Sequence, residues 1–157
     1  GALNWNEVRR RFPLEIWAIV GAALSLANLM STSGLADWLG LFLQSSLNGF
    51  GVLGAFIAIY LVTLLLTELI TNNAAAALVF PIAYSLSLAY GADPMPFIMA
   101  VIFGASASFI SPYGYQTNLM VYSAGDYEFK DYLKIGIPMS ILYSAVVLFT
   151  IPLLFPF

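Results

Sequence analysis

Between Ile16 and Gly125 the sequence carries only three charges, Asp37, Glu68 and Asp93, and beyond Lys134 it carries none. Uninterrupted apolar runs of this length match what a helix needs to cross a hydrocarbon core of about 30 Å. Of the 157 residues, 61% are hydrophobic and 8% charged, where a soluble domain carries about a quarter charged. The expected fold is therefore an all-α integral membrane protein. A signal peptide does not account for the pattern, because a signal has one short apolar core and this chain has several.

Composition also removes chemistry. With no His and no Cys, the chain has no imidazole or thiolate metal ligands, no Ser-His triad and no disulfides. No paired carboxylates stand in their place, so an enzyme is not expected. The net charge of -3 comes from few residues, and no basic aromatic face suggests nucleic acid. The first residue is Gly, which points to a piece of something longer.

Residues 1–12 read as a polar lead-in whose Arg9-Arg10-Arg11 cluster places this end in the cytoplasm by the positive-inside rule. Residues 13–157 read as membrane domain. A first span covers Leu14 to about Met30. Leu35 to Leu47, with Asp37 and Gln44, is too short and polar for a comfortable crossing and suits an interfacial or connecting helix. Two apolar arms follow, over about 52–90, parted by Thr71-Asn72-Asn73. Asp93, Pro94 and Pro96 then break the chain. An interrupted helix is expected over about 95–123, and after a polar patch a last span over about 135–157. Counting crossings returns Lys130 and Lys134 to the side of the arginines. The arms fit either two full spans or a re-entrant hairpin, and three neutral residues at the turn favour a buried hairpin tip.

Two interruptions therefore fall at membrane depth, Thr71 to Asn73 and Ser111 to Asn118. Unpaired peptide groups in lipid cost several kcal/mol each, so such breaks persist only when buried in protein or lining a cavity. Each contains a Thr-Asn pair, Thr71-Asn72 and Thr117-Asn118. Each would juxtapose exposed carbonyls, suited to a hard cation such as sodium, with helix-start amides suited to an anion. Pro112 favours an extended or turn conformation at Ser111, and Gly114 permits a positive φ. The first break relies on Asn, which tolerates the left-handed region. Small residues such as "GASAS", Gly104 to Ser108, and Ala74 to Ala77 read as helix-packing surface. Glu68 is open between a proton or cation ligand and a partner for backbone amides. Asp37 and Asp93 read as cap or turn residues.

"TELITNNAAAALVFPIA" resembles the hairpin-tip Ser/Thr-Asn-Thr signature of the divalent anion/sodium symporter family. "SPYGYQTNLMVYSAGDYEFKDYLKIGIP" resembles the broken helix and following span of the same transporters. The likeness runs from about Phe12 to the end and is nearest to bacterial permeases with regulatory domains of the TrkA C-terminal type. It implies the second inverted repeat of an elevator-type secondary transporter, with a re-entrant helical hairpin and a broken transmembrane helix. By position it implies anion contacts at Asn72, Asn73, Thr117 and Asn118. It implies co-transported sodium at Thr71, Asn72, Gly114, Tyr115, Gln116 and Asn118, and a bracing helix at Tyr127 to Lys134. The implied partners are a missing N-terminal repeat, a small anion, the lipid bilayer of the cell membrane and a second copy in a homodimer. Asn73 stands where the carboxylate carriers have Thr, and Gln116-Thr117 replaces their Pro-Pro, so sulfate and a dicarboxylate both stay open. The alternatives are an arsenite or sodium/proton antiporter with Glu68 carrying protons, and a membrane scaffold that does not transport.

Overall fold

The computed structural model describes residues 14–47 and 49–157. The lead-in over residues 1–12, and the orientation argument that rests on its arginines, lie outside them. The described chain forms α1 (Leu14–Thr32), α2 (Leu35–Ser46), α3 (Gly51–Leu69), α4 (Asn72–Tyr90), α5 (Pro94–Ala105), α6 (Gln116–Ala124) and α7 (Phe129–Leu154). No strand occurs among the described residues.

Among the described residues three helices, α3, α4 and α7, are long and apolar enough to cross a membrane. At 1.5 Å per residue the 19 residues of α3 and of α4 each reach about 28 Å. α5, with 12 residues, is shorter. Its start is dictated locally: Asp93 accepts from the Met95 amide at 2.8 Å and Pro94 occupies the first helical position, where no amide is needed. α4 ends at Gly91, whose φ of 64° lets its own amide and that of Ala92 turn back onto Leu88 and Ser87.

α3 and α4 fold back on each other, and α5 packs against both. The α3 face toward α5 carries Phe56, Tyr60, Thr63 and Thr67, spaced by three or four residues and all fully buried. Gly104 of α5 permits this approach, since a Cβ there would lie 2.9 Å from the Thr63 side chain and 3.0 Å from the Tyr60 carbonyl. Polar groups on this face are paired: the Tyr60 hydroxyl meets Ser144 of α7 at 2.9 Å, and Thr63 donates to the Ile59 carbonyl. α1 and α2 cover the opposite side of α4. There Ser85 donates to Asp37 at 2.7 Å, so Asp37 holds a neighbouring helix rather than capping its own. α7 packs on α5 and exposes Ile135, Ile141, Leu142, Phe149 and Leu153, an apolar face fit for lipid or for the remainder of a larger protein.

Three local expectations change. The first interruption contains no left-handed residue: Ile70 and Thr71 are extended, and Asn72 and Asn73 already belong to α4. The second begins at Ser106, not Ser111, so "GASAS" is half packing surface and half break. The Tyr127 to Lys134 segment supplies no separate bracing helix. Glu128 and Asp131 form a capping box, and α7 runs on from Phe129 without a stop.

Candidate functional site

The two interruptions open onto one cleft of about 350 Å³, lined by Thr71, Asn72, Asn73, Tyr113, Gly114, Tyr115, Gln116, Thr117 and Leu119. No lining side chain is charged. Residues 46 positions apart in sequence thus come together, Thr71 with Thr117 and the tip with the loop.

Each wall is the first turn of a helix. Thr71 is the N-cap of α4, its hydroxyl accepting from the Ala74 amide at 3.3 Å, while Asn72 accepts from the Asn73 amide at 2.9 Å. Tyr115 is the N-cap of α6, and no side chain caps that helix. The side chains of Thr71 and Asn72 already take the Ala74 and Asn73 amides of α4, whereas the start of α6 keeps its first amides uncapped; both first turns still present the positive end of the peptide dipole, neutral but favourable surroundings for an anion. Hydroxyl, amide and loop carbonyl oxygens on the same cleft suit a hard monovalent cation. Among the described residues no cluster of three acidic side chains could hold a metal ion.

The loop behind the cleft is over-determined. The Glu68 carboxylate accepts from the amides of Phe109 and Ile110 at 3.0 Å each and of Ser111 at 2.6 Å, with the Ser108 hydroxyl at 3.4 Å. Of its two sequence readings, the structure selects backbone partner. All four neighbours are donors, which leaves the proton-carrying role of the antiporter alternative without geometric support. Thr67, one residue earlier and fully buried, donates to the Ala105 carbonyl at 2.7 Å.

Gly114 is required for space and not for a positive φ: a Cβ would fall 2.1 Å from the Ser108 hydroxyl oxygen and 2.2 Å from the Thr67 carbonyl oxygen. Gly136 serves α7 in the same way, since a Cβ there would fall 2.3 Å from the Phe109 carbonyl oxygen.

Asn118 is the expected site residue that the structure sets apart. Its side-chain Nδ2 donates to the carbonyls of Ser108 at 2.9 Å and Ser111 at 3.3 Å, and its backbone carbonyl accepts from the Tyr132 hydroxyl at 2.9 Å. It lines a second cavity of about 320 Å³, with Phe109, Tyr127, Tyr132 and Met139, and is not among the residues that line the first. Sequence reasoning missed Ser108, Thr67 and Tyr132. Ser108 was hidden in a stretch read as packing surface, and no local signal marks the other two.

The sodium:sulfate symporter transmembrane region, as a family profile, matches residues 1–155. The chain belongs to this family. Sodium/sulfate cotransporter 1 of Chlamydomonas reinhardtii is 37% identical over 142 residues, covering 90% of this chain and 16% of that protein. An uncharacterized transporter of Synechocystis sp. is 37% identical over 147 residues, covering 92% of this chain and 24% of its own length. The sodium-dependent dicarboxylate transporter SdcS of Staphylococcus saprophyticus is 29% identical over 154 residues, covering 98% of this chain and 29% of that protein. The chain thus spans less than a third of each of these relatives. Membership of the symporter family, together with the apolar helices, makes it a multi-pass membrane protein of a transporter family and not an enzyme.

Proposed function

We propose that the full-length protein is a sodium-coupled symporter of a small divalent anion, and that this chain is the second inverted repeat of an elevator-type transporter. The observation that carries this reading is the single uncharged cleft shared by the first turns of α4 and α6. The uncapped start of α6 supplies backbone amide donors for the anion, the α4 tip adds its dipole and the Asn72 and Asn73 side chains, and the neighbouring carbonyls and hydroxyls supply oxygens for sodium. Asn72, Asn73 and Thr117 face the anion. Thr71, Asn72, Gly114, Tyr115 and Gln116 surround the sodium ion. Asn118 acts on both by holding the loop carbonyls in place instead of touching the cargo. α3 and α4 form the re-entrant hairpin, and the break between α5 and α6 interrupts the broken helix.

The opposite half of the anion site and a second sodium site belong to an N-terminal repeat outside this chain. The short share of each relative that the chain covers supports that division. The assembled protein is a homodimer in the cell membrane, with the N-terminal end of this chain on the cytoplasmic side.

Reconstituted full-length protein should take up sulfate or succinate only with an inward sodium gradient, and uptake indifferent to sodium rejects the coupling. Asn73 is the position of specificity, because it is exposed on the cleft and is the departure from the Thr of carboxylate carriers. Replacing Asn73 by Thr should shift the sulfate to succinate ratio of kcat/KM about tenfold, within the range one repositioned polar contact supplies.

A further inference from the structure

We infer that the Glu68 carboxylate acts as a built-in anion that holds the second interruption in its binding shape before any ligand arrives, leaving the Asn72–Asn73 edge as the part that ligands draw in. The inference rests on the reading of the cleft as the transport site. Three successive amides, Phe109, Ile110 and Ser111, converge on one side chain. Consecutive amides turned to one point form an anion-binding concavity, and here it is filled by the chain itself. The cargo anion is thereby excluded from the most donor-rich turn of the loop and directed to the cleft, whose lining does not include Glu68.

The last turn of α3 grips the break along its whole length. Thr67 holds the carbonyl of Ala105, the last residue of α5, just before the break. Glu68 holds its middle. The Thr67 carbonyl packs against Gly114 near its end. The hydrogen bonds of Thr71, Asn72 and Asn73 among the described residues all stay within the tip. The loop that leads into the α6 wall of the cleft is therefore tied to α3 by charge-assisted bonds, and the tip that forms the other wall has no side-chain tie to it. Glu68 is a positioning residue: it acts through the loop and not on the cargo.

A carboxylate matches four donors with two acceptor oxygens, whereas a carboxamide presents a donor of its own to one pair. The test uses the full-length protein in proteoliposomes with a single cysteine introduced as Ala107→Cys, a fully buried position beside the concavity, any cysteines outside this chain being replaced. With Glu68 intact, alkylation by a maleimide should be slow and unchanged by sodium and sulfate. Glu68→Gln should accelerate ligand-free alkylation about tenfold and raise the half-saturating sodium concentration about tenfold, with the maximal uptake rate recovered within about threefold at saturating sodium.

Glu68→Asp keeps the charge on a shorter arm. It should fall between the two, and it carries the test if the Gln variant does not reach the membrane. Unchanged alkylation and unchanged sodium dependence in both variants overturn the inference. So does alkylation of the Glu68 protein that sodium slows about tenfold, because the loop is then not formed in advance. Faster alkylation in the Gln variant without any response to sodium or sulfate upholds the clamp and rejects the cleft as the transport site.

Discussion

The two interruptions look alike in sequence, each with a Thr-Asn pair between apolar runs, yet the chain solves them differently. The first leaves two residues outside helices, Ile70 and Thr71, and satisfies itself with one hydroxyl cap and one Asn–backbone bond. The second leaves ten, Ser106 to Tyr115, and draws on other elements: Thr67 and Glu68 of α3, about 40 residues away, Asn118 of the following α6 and, through the Asn118 backbone carbonyl, Tyr132 of α7. A short break can be capped from within, because a restarting helix exposes only its first few amides. A long one needs partners from other elements for nearly every peptide group. Among the described residues the short break thus carries no side-chain tie from another element, and the long one carries several.

Substitutions that attack this difference should have graded effects. Gly114→Ala should be the most severe, since backbone of α3 and the Ser108 hydroxyl block the new methyl group. Sodium-dependent uptake by the full-length protein should fall at least about a hundredfold, in keeping with the cost of overpacking a close-packed site, and near-normal uptake would show that the long break is not rigid. Asn118→Ala removes both bonds to the Ser108 and Ser111 carbonyls and should destabilise by about 1–3 kcal/mol, visible as a lower melting temperature in detergent as well as weaker sodium dependence.

Thr71→Ala, at the short break, removes one cap. It should cost about 1 kcal/mol, and Thr71→Ser should restore it. A Thr71→Ala loss of stability larger than that of Asn118→Ala would reverse the comparison.

What could be read from the sequence follows the same line. The apolar arms, the Asp93-Pro94 helix start and the two polar breaks are local patterns, each written within a few neighbouring residues. The partners of the long break are not local: Glu68 meets amides 41 to 43 residues away, and nothing near Glu68 marks them. In sequence Gly114 reads as a residue that permits a positive φ, but its need is set by the approach of α3, a tertiary fact. The left-handed conformation expected of Asn72 and Asn73 gave way to a simpler one, because an extended Thr71 restarts the helix by itself. Ser106 to Ser108 looked like helix surface because small residues serve close packing and irregular backbone equally well.

The central claim is that both interruptions serve one bound assembly of sodium and anion. A double-mutant cycle on Asn72 and Thr117, one from each break, tests it most directly: the kcat/KM for sodium-driven sulfate uptake is measured for the full-length protein, Asn72→Ala, Thr117→Ala and the double variant. A shared site predicts coupling of about 1 kcal/mol or more, with the double variant losing clearly less than the sum of the single losses. Losses that add within about 0.3 kcal/mol would mean the two breaks act separately and would contradict the account.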